Sequence, residues 1–245
     1  GYDFASDTDT EVILAAYDRW GEECTTRFNG DWAFCILDTK RRNLFLSRDR
    51  YSIKPLYYFR DLHHFAFASE IKALLCLPFV PRSLNRDKAF QSTVLSLADD
   101  TEETLFEDVF QMLPGHNMTV DLQTGAIRSH RYYKLRNCTE IGQYDHRKAL
   151  VYAETLRDLF FDAVRLRLRA DVPVGTCLSG GLDSSSIVAI MAKILGETPG
   201  TQVNHTFTAS FPNLPIDERH FAELIVDYTK ANGHFVCPSK EVFIS

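Results

Sequence analysis

The sequence has no Cys-x-x-Cys pair and no Cys/His cluster; Cys24, Cys35, Cys76, Cys138, Cys177 and Cys237 stand far apart. That scatter removes the spacing expected of a zinc site or a disulfide framework. In a chain of 245 residues it predicts reduced, mostly buried thiols in a cytoplasmic protein. No apolar run reaches the roughly 18 residues of a membrane span, and no secretory signal is visible. Positive charge is not in excess: 27 Lys and Arg face 33 Asp and Glu, a net charge of −6. This argues against an electrostatic nucleic-acid binder. Arg165, Arg167 and Arg169 alternate along a predicted helix and read as a solvated or ion-paired face. The chain opens on Gly1 rather than Met and ends at Phe243-Ile244-Ser245 in mid-pattern, so an internal fragment is expected.

What is present is an ordinary globular composition, 45% apolar and 24% charged, long enough for two domains with a core in each. The stretch around which the rest is arranged is Leu178-Ser179-Gly180-Gly181-Leu182-Asp183-Ser184-Ser185. The Val-containing run from Val172 to Leu178 is too short for a helix and reads as a buried strand. After the glycines, Ile187, Ile190, Met191, Ile194 and Leu195 recur at helical spacing. Asp183 or Ser184 could cap that helix, and Gly196 falls where a C-cap would.

A strand, a glycine turn and a helix start bind anions, because free N–H groups and the helix dipole point the same way. A Walker loop would follow its last glycine with lysine. This loop carries Asp183 instead, which repels phosphate unless a divalent metal lies between them. Hydroxyls from Ser179 and from Ser184 to Ser186 add donors. Such a loop suits a nucleotide cleaved at its α-phosphate; the plainer alternative is a serine-rich helix cap at a tight turn.

Ser179 to Ser184, SGGLDS, resembles the pyrophosphate loop of the ATP-pyrophosphatase superfamily. The longer run Arg167 to Ser185, RLRADVPVGTCLSGGLDSS, resembles the glutamine-hydrolysing asparagine synthetase family. The resemblance implies ATP and Mg2+, with Leu178, Ser179, Gly180, Gly181, Asp183, Ser184 and Ala209 at the nucleotide and pyrophosphate. Mg2+ would reach Asp183 through the pyrophosphate.

The first half carries its own resemblance. Arg48 to Tyr58, RDRYSIKPLYY, is similar to the RDxxGxKPLYY run of class II glutamine amidotransferases, and Phe67 to Leu74 to their FASEIKAL segment. Asn29-Gly30 fits as well. Ser52 replaces the usual glycine and costs stability if that position needs a positive φ. Asp9 matches the aspartate that binds the α-amino group of glutamine; taken alone, Asp9 or Thr10 reads as a cap for a helix over 9–20. The family's nucleophile is an N-terminal cysteine, whereas here the nearest is Cys24, which reads as structural, so no catalytic residue is assigned.

Hairpins are predicted over 32–46 and 56–68, then a short helix from Ser69-Glu70 to Leu75. A closing pair of strands flanks Val120 to Gly125, with His116 in a loop. Asn137 to Arg147 is polar and reads as a linker. A helix follows over 153–168 with Leu156, Leu159, Phe160, Ala163, Val164 and Leu168 inward. A strand is expected over 206–211, a helix over 218–230 with Phe221, Leu224, Ile225 and Tyr228 inward, and a strand from Phe235.

The expected architecture is therefore an α+β amidotransferase part of the Ntn-hydrolase-like sandwich kind, residues 1–136, then an α/β parallel-sheet nucleotide-binding domain, residues 148–245. The resemblance implies glutamine hydrolysis in the first and adenylation of aspartate by Mg-ATP in the second. Ammonia then displaces AMP to give asparagine. Glutamine, aspartate and ATP are the implied partners, without nucleic acid or membrane, and a homodimer is compatible. Two rivals stand beside this: a β-lactam synthetase or peptide cyclase adenylating another carboxylate, and a module that binds nucleotide without catalysis.

Overall fold

The computed structural model describes residues 2–97, 100–137, 142–197, 204–212 and 214–239. The chain divides into two compact units, Gly1–Thr139 and Glu140–Ser245.

The first unit opens with α1 (Asp9–Trp20) and a 3-10 segment (Gly21–Arg27), then β1 (Ala33–Asp38) and β2 (Asn43–Arg48). Next come β3 (Tyr57–Arg60), β4 (Phe65–Ala68), α2 (Ile71–Leu74) and α3 (Arg86–Leu95). It closes with β5 (Val109–Gln111), β6 (His116–Asp121) and β7 (Ile127–Arg131). The strands form two antiparallel sheets, ordered β1-β2-β6-β7 and β4-β3-β5. Strand β2 shows why. Successive side chains of a strand point to opposite faces, and here both faces are covered. Phe45 packs with Ala16 and Tyr17 of α1, while Leu46 packs with Met118, Tyr58 and Met112 from both sheets. On the far side of β3, Phe59 joins Leu74 and Val80. Helix, sheet, sheet and the α2 segment thus lie in successive layers.

The run from Arg48 to Lys54 is a polar clamp built on two buried charges, Arg48 and Asp49. Asp49 is 1% exposed, and its carboxylate accepts from Tyr51 N at 2.9 Å, Ile53 N at 3.1 Å and Lys54 N at 2.9 Å. Its own carbonyl accepts from Ser52 N and from Gly115 N. Arg48 donates to the carbonyls of Lys54, Ser52 and Met112, the last across the sheets. Ser52 sits at φ 54°, so the serine does carry left-handed strain where a glycine would not. A buried carboxylate with three N–H partners leaves three orphans when removed.

Several details differ from the sequence reading. Thr8, not Asp9 or Thr10, occupies the N-cap position of α1, and its side chain makes no capping bond. Glu11 instead ties the segment before the helix, accepting from Ala5 N and Ser6 N at 2.8 Å each and from Ser6 Oγ at 2.6 Å, and the bonds from Ala5 N and the Ser6 hydroxyl hold its carboxyl below the ordinary value. His116 begins β6 rather than lying in a loop, its Nδ1 2.9 Å from the Pro114 carbonyl oxygen.

The second unit comprises α4 (His146–Arg167), β8 (Gly175–Cys177), α5 (Leu182–Gly196), β9 (His205–Ala209), α6 (Arg219–Thr229) and β10 (Asn232–Val236). Its three strands are parallel in the order β10-β9-β8. One helix follows each of the first two strands, as parallel pairing requires. Helix α4 begins at His146, capped by Asp145 through Arg147 N and Lys148 N, seven residues before the expected start. Of the supposed linker, residues 138–141 lie outside the described residues, as does the chain end, 240–245. The strand expected from Val172 is confined to Gly175–Cys177, and Val172 is exposed.

Helix faces were also misassigned in part. Ile190, Met191 and Ile194 pack on Phe160, Val164 and Leu168 of α4, but Leu156 and Leu159 are exposed. On α6 the buried side is Ala222 with Ile225 and Val226, while Phe221, Leu224 and Tyr228 face outward. Among the described residues no helix is long and apolar enough to cross a membrane.

Replacing Asp49 by alanine is expected to destabilise the first unit by about 3 kcal/mol, from the three charge-assisted bonds it loses. Both tryptophans, Trp20 and Trp32, lie in that unit, so the urea midpoint followed by their fluorescence measures it selectively.

Candidate functional site

Strand β8 ends against Leu178, which is 1% exposed and packs with Val188 and Ala222. Its N–H donates to the Phe207 carbonyl at 2.8 Å, and Thr208 Oγ1 donates to its carbonyl at 2.7 Å. Leu178 is therefore the anchor of the loop, with both backbone groups engaged. Beyond it the chain turns through Gly180, at φ 87°. A Cβ there would lie 2.7 Å from Phe221 Cβ and 2.9 Å from Ala222 N, so the loop touches the start of α6 backbone to backbone. Only glycine satisfies both the dihedral and the space.

The serines close the loop on itself. Ser184 Oγ accepts from Ser179 N at 3.2 Å, lies 3.0 Å from Ser179 Oγ and donates to the Gly181 carbonyl at 3.2 Å. Ser186 Oγ donates to the Leu182 carbonyl one turn back at 2.7 Å. The hydroxyls of Ser179, Ser184 and Ser186 thus bond locally, whereas Ser185 Oγ is buried without a hydrogen-bond partner. What the loop offers is backbone. Gly181 is the N-cap of α5, without a side-chain cap bond, and neither Asp183 nor Ser184 occupies that position. The first intrahelical bond runs from Ser185 N to the Gly181 carbonyl at 3.0 Å. The N–H groups of Leu182, Asp183 and Ser184 precede it and have no partner within the helix. Asp183 projects in that first turn and is exposed. Gly196, expected as the C-cap, is the last helical residue. Ala209, the final residue of β9, is exposed at the same carboxyl end of the sheet as the loop. An apolar groove of about 830 Å³ runs along α4 and α5, lined by Leu156, Phe160, Phe161, Ala189 and Tyr228. It borders only Ser186 of the serine run and is not the anion-binding end.

In the first unit, Asp9 is exposed at the first position of α1 and lines a cavity of about 340 Å³. Arg27, Asn29, Gly30, Asp31 and Trp32 line the same cavity. The meeting of Asp9 with Asn29-Gly30, 20 residues later, was not legible in sequence. Cys24 is fully buried beneath α1, and burial pushes its thiol up to about 11. It is an inert core residue. The described cysteines, all but Cys138, are free.

Comparison with known proteins settles the family. Residues 1–133 match the glutamine amidotransferase domain family, and residues 155–244 match the asparagine synthase family. The chain belongs to the asparagine synthetase family. A putative glutamine-hydrolysing asparagine synthetase 2 of Methanocaldococcus jannaschii is 37% identical over 93% of this chain and 42% of its own. Glutamine-hydrolysing asparagine synthetase 3 of Bacillus subtilis is 35% identical over 86% of this chain and 33% of its own. The amidase chry2 of Gibberella zeae is 31% identical over 100% of this chain and 37% of its own. The chain thus spans about two-fifths or less of each of these family relatives.

Gly180→Ala is expected to cost the second unit about 2–4 kcal/mol, from left-handed strain plus a backbone clash at α6. Far-UV circular dichroism in urea should reveal an earlier transition, while tryptophan fluorescence of the first unit keeps its midpoint.

Proposed function

We propose that the protein makes an amide by activating the side-chain carboxylate of aspartate with ATP and supplying ammonia from glutamine, in the manner of asparagine biosynthesis. One observation carries this reading. A glycine loop without lysine, ending in free helix N–H groups and a carboxylate, lies at the carboxyl end of a parallel sheet, in a chain that also holds an amidotransferase domain.

Carboxylate is a poor electrophile, so one of its oxygens first attacks the α-phosphorus of ATP. Pyrophosphate leaves and β-aspartyl-AMP remains. The nitrogen of ammonia then attacks the acyl carbon and AMP departs. In this scheme the N–H groups of Leu182, Asp183 and Ser184 receive the pyrophosphate oxygens, and Gly180 and Gly181 keep side chains out of the way. Leu178 and Ala209 border the nucleotide, and the Ser179–Ser184 pair holds the loop shape.

The donor set fits Mg2+. Asp183 offers hard oxygen, and among the described residues no group of three or more His, Cys, Asp or Glu forms an all-protein cage. A magnesium ion held by one carboxylate, phosphate oxygens and water needs no more. When bound, it neutralises charge on the pyrophosphate. At the other unit, Asp9 is proposed to receive the α-ammonium of glutamine inside the 340 Å³ cavity.

A second reading, amide chemistry on another carboxylate, is favoured by the relative named an amidase, which aligns with the whole of this chain. Replacing aspartate by other carboxylic acids in the exchange assay separates the two.

Asp183→Asn should keep the fold, since asparagine is nearly isosteric. It is expected to lower aspartate-dependent ATP–pyrophosphate exchange by about a hundredfold, the scale of losing a transition-state charge partner. Exchange at wild-type rates would reduce Asp183 to a surface residue of the first helical turn. For the other unit, Asp9→Asn should weaken glutamine binding about 10–100-fold in calorimetry, the value of one charge-assisted bond. Unchanged affinity would remove Asp9 from the pocket's chemistry.

A further inference from the structure

Two histidines in the second unit belong to none of this chemistry. His205 begins β9 and His234 is the third residue of β10. Their strands pair in parallel with His205 opposite Asn232 and His234 opposite Phe207, which makes the two histidines diagonal neighbours. His205 Nδ1 and His234 Nε2 are 2.9 Å apart. The ring centroids are 5.2 Å apart and the planes differ by 17°, so the rings lie edge to edge, nearly in one plane, with the two nitrogens facing. Both rings are half-buried. Phe207 stacks on His234, with centroids 4.9 Å apart and planes within 15°, which holds that ring in place. Gly175 on β8 makes room for Phe207, since a Cβ there would be 2.8 Å from its ring.

We propose that His205 and His234 form a two-imidazole site for a borderline divalent transition metal of the Zn2+ class. Facing ring nitrogens already share a hydrogen bond, so one ring is donor and the other acceptor. A change of tautomer in the donor ring frees both lone pairs at once, with the displaced proton moving to its other ring nitrogen. Tetrahedral zinc with Zn–N bonds near 2.0–2.1 Å holds two nitrogens about 3.3 Å apart. The observed 2.9 Å therefore has to open by a few tenths of an ångström, and each ring has to swing in its own plane by roughly 35° so that the facing lone pairs converge on a tetrahedral ion. The anchors are rigid, because each histidine sits in a strand and the strands are hydrogen-bonded to each other. Water completes the coordination.

Neutral nitrogen donors select zinc, nickel or copper and reject magnesium, whose ligands are oxygen. The pair also lies toward the amino-terminal part of the sheet, whereas the loop with Asp183 lies past its carboxyl end. Strand β9 alone separates the two ends by four residue steps, roughly 13 Å at the usual rise. The two metals would thus occupy different places with different ligand chemistry.

The test is calorimetric titration of the chelator-treated 245-residue chain with zinc chloride in the presence of excess Mg2+. One Zn2+ per chain with a micromolar dissociation constant is expected. His205→Gln and His234→Gln should each weaken it at least tenfold, while His64→Ala, beside Asp61 in the first unit, should leave that event unchanged. Ring-nitrogen NMR of the unmodified chain supplies a readout independent of variant folding: Zn2+ should shift His205 Nδ1 and His234 Nε2 together. Stoichiometric binding that persists in the His205→Gln/His234→Gln double variant, or ring signals that ignore zinc, would overturn the proposal.

Discussion

Backbone meets backbone where the loop after β8 passes the first turn of α6, at a separation that leaves room for a hydrogen atom and nothing larger. The whole proposed nucleotide end depends on this contact. Because Gly180 turns at a left-handed φ and lies against Ala222, the chain re-enters as α5 directly above the sheet edge, with its first N–H groups unspent. Ser179 and Ser184 then lock that shape by bonding to each other rather than outward. In the proposed function a loop built this way offers an anion its backbone, with Gly180 setting the path and the two serines holding it.

The first unit uses a different device for a similar end. Arg48 and Asp49 bury opposite charges in adjacent positions and spend them on main-chain groups: three N–H groups on the acid, three carbonyls on the base. Burying polar groups is costly unless each finds a partner. Here the partners lie in the turn after β2 and in the strand-ending segment at Met112, so one dipeptide sets the turn and joins the two sheets. Its resemblance to the amidotransferase family therefore reflects how the sandwich is held together, while Asp9 stands in its own cavity elsewhere in the unit.

Much of this was legible in the linear sequence. Strand, glycine turn and helix around 175–196 followed from a short Val-containing run, two adjacent glycines and an apolar stripe. The hairpins at β1–β2 and β3–β4 followed from apolar runs broken by polar turns. The parallel sheet followed from strands alternating with helices. These are local patterns, governed by side-chain period and backbone freedom over a few residues, and sequence records them directly.

The faces of α4 and α6 were not legible. Hydropathy places Leu156, Phe221, Leu224 and Tyr228 inward, yet all four are exposed and the buried side of α6 is led by the small Ala222, whose backbone lies against Gly180. Nor could sequence tell that the hydroxyls of Ser179, Ser184 and Ser186 bond within the loop, that Glu11 ties down the segment before α1, or that Asp9 shares a cavity with Asn29. The juxtaposition of His205 and His234 likewise needs the register of β9 against β10. Sequence by itself determined most of the elements, their order and the family, since these rest on local periodicity and on contiguous motifs; α3, β5 and the 3-10 segment after α1 carry no such pattern and were not read from it. Tertiary structure alone decided which faces are buried and which polar groups remain free, because both depend on distances between residues far apart in the chain.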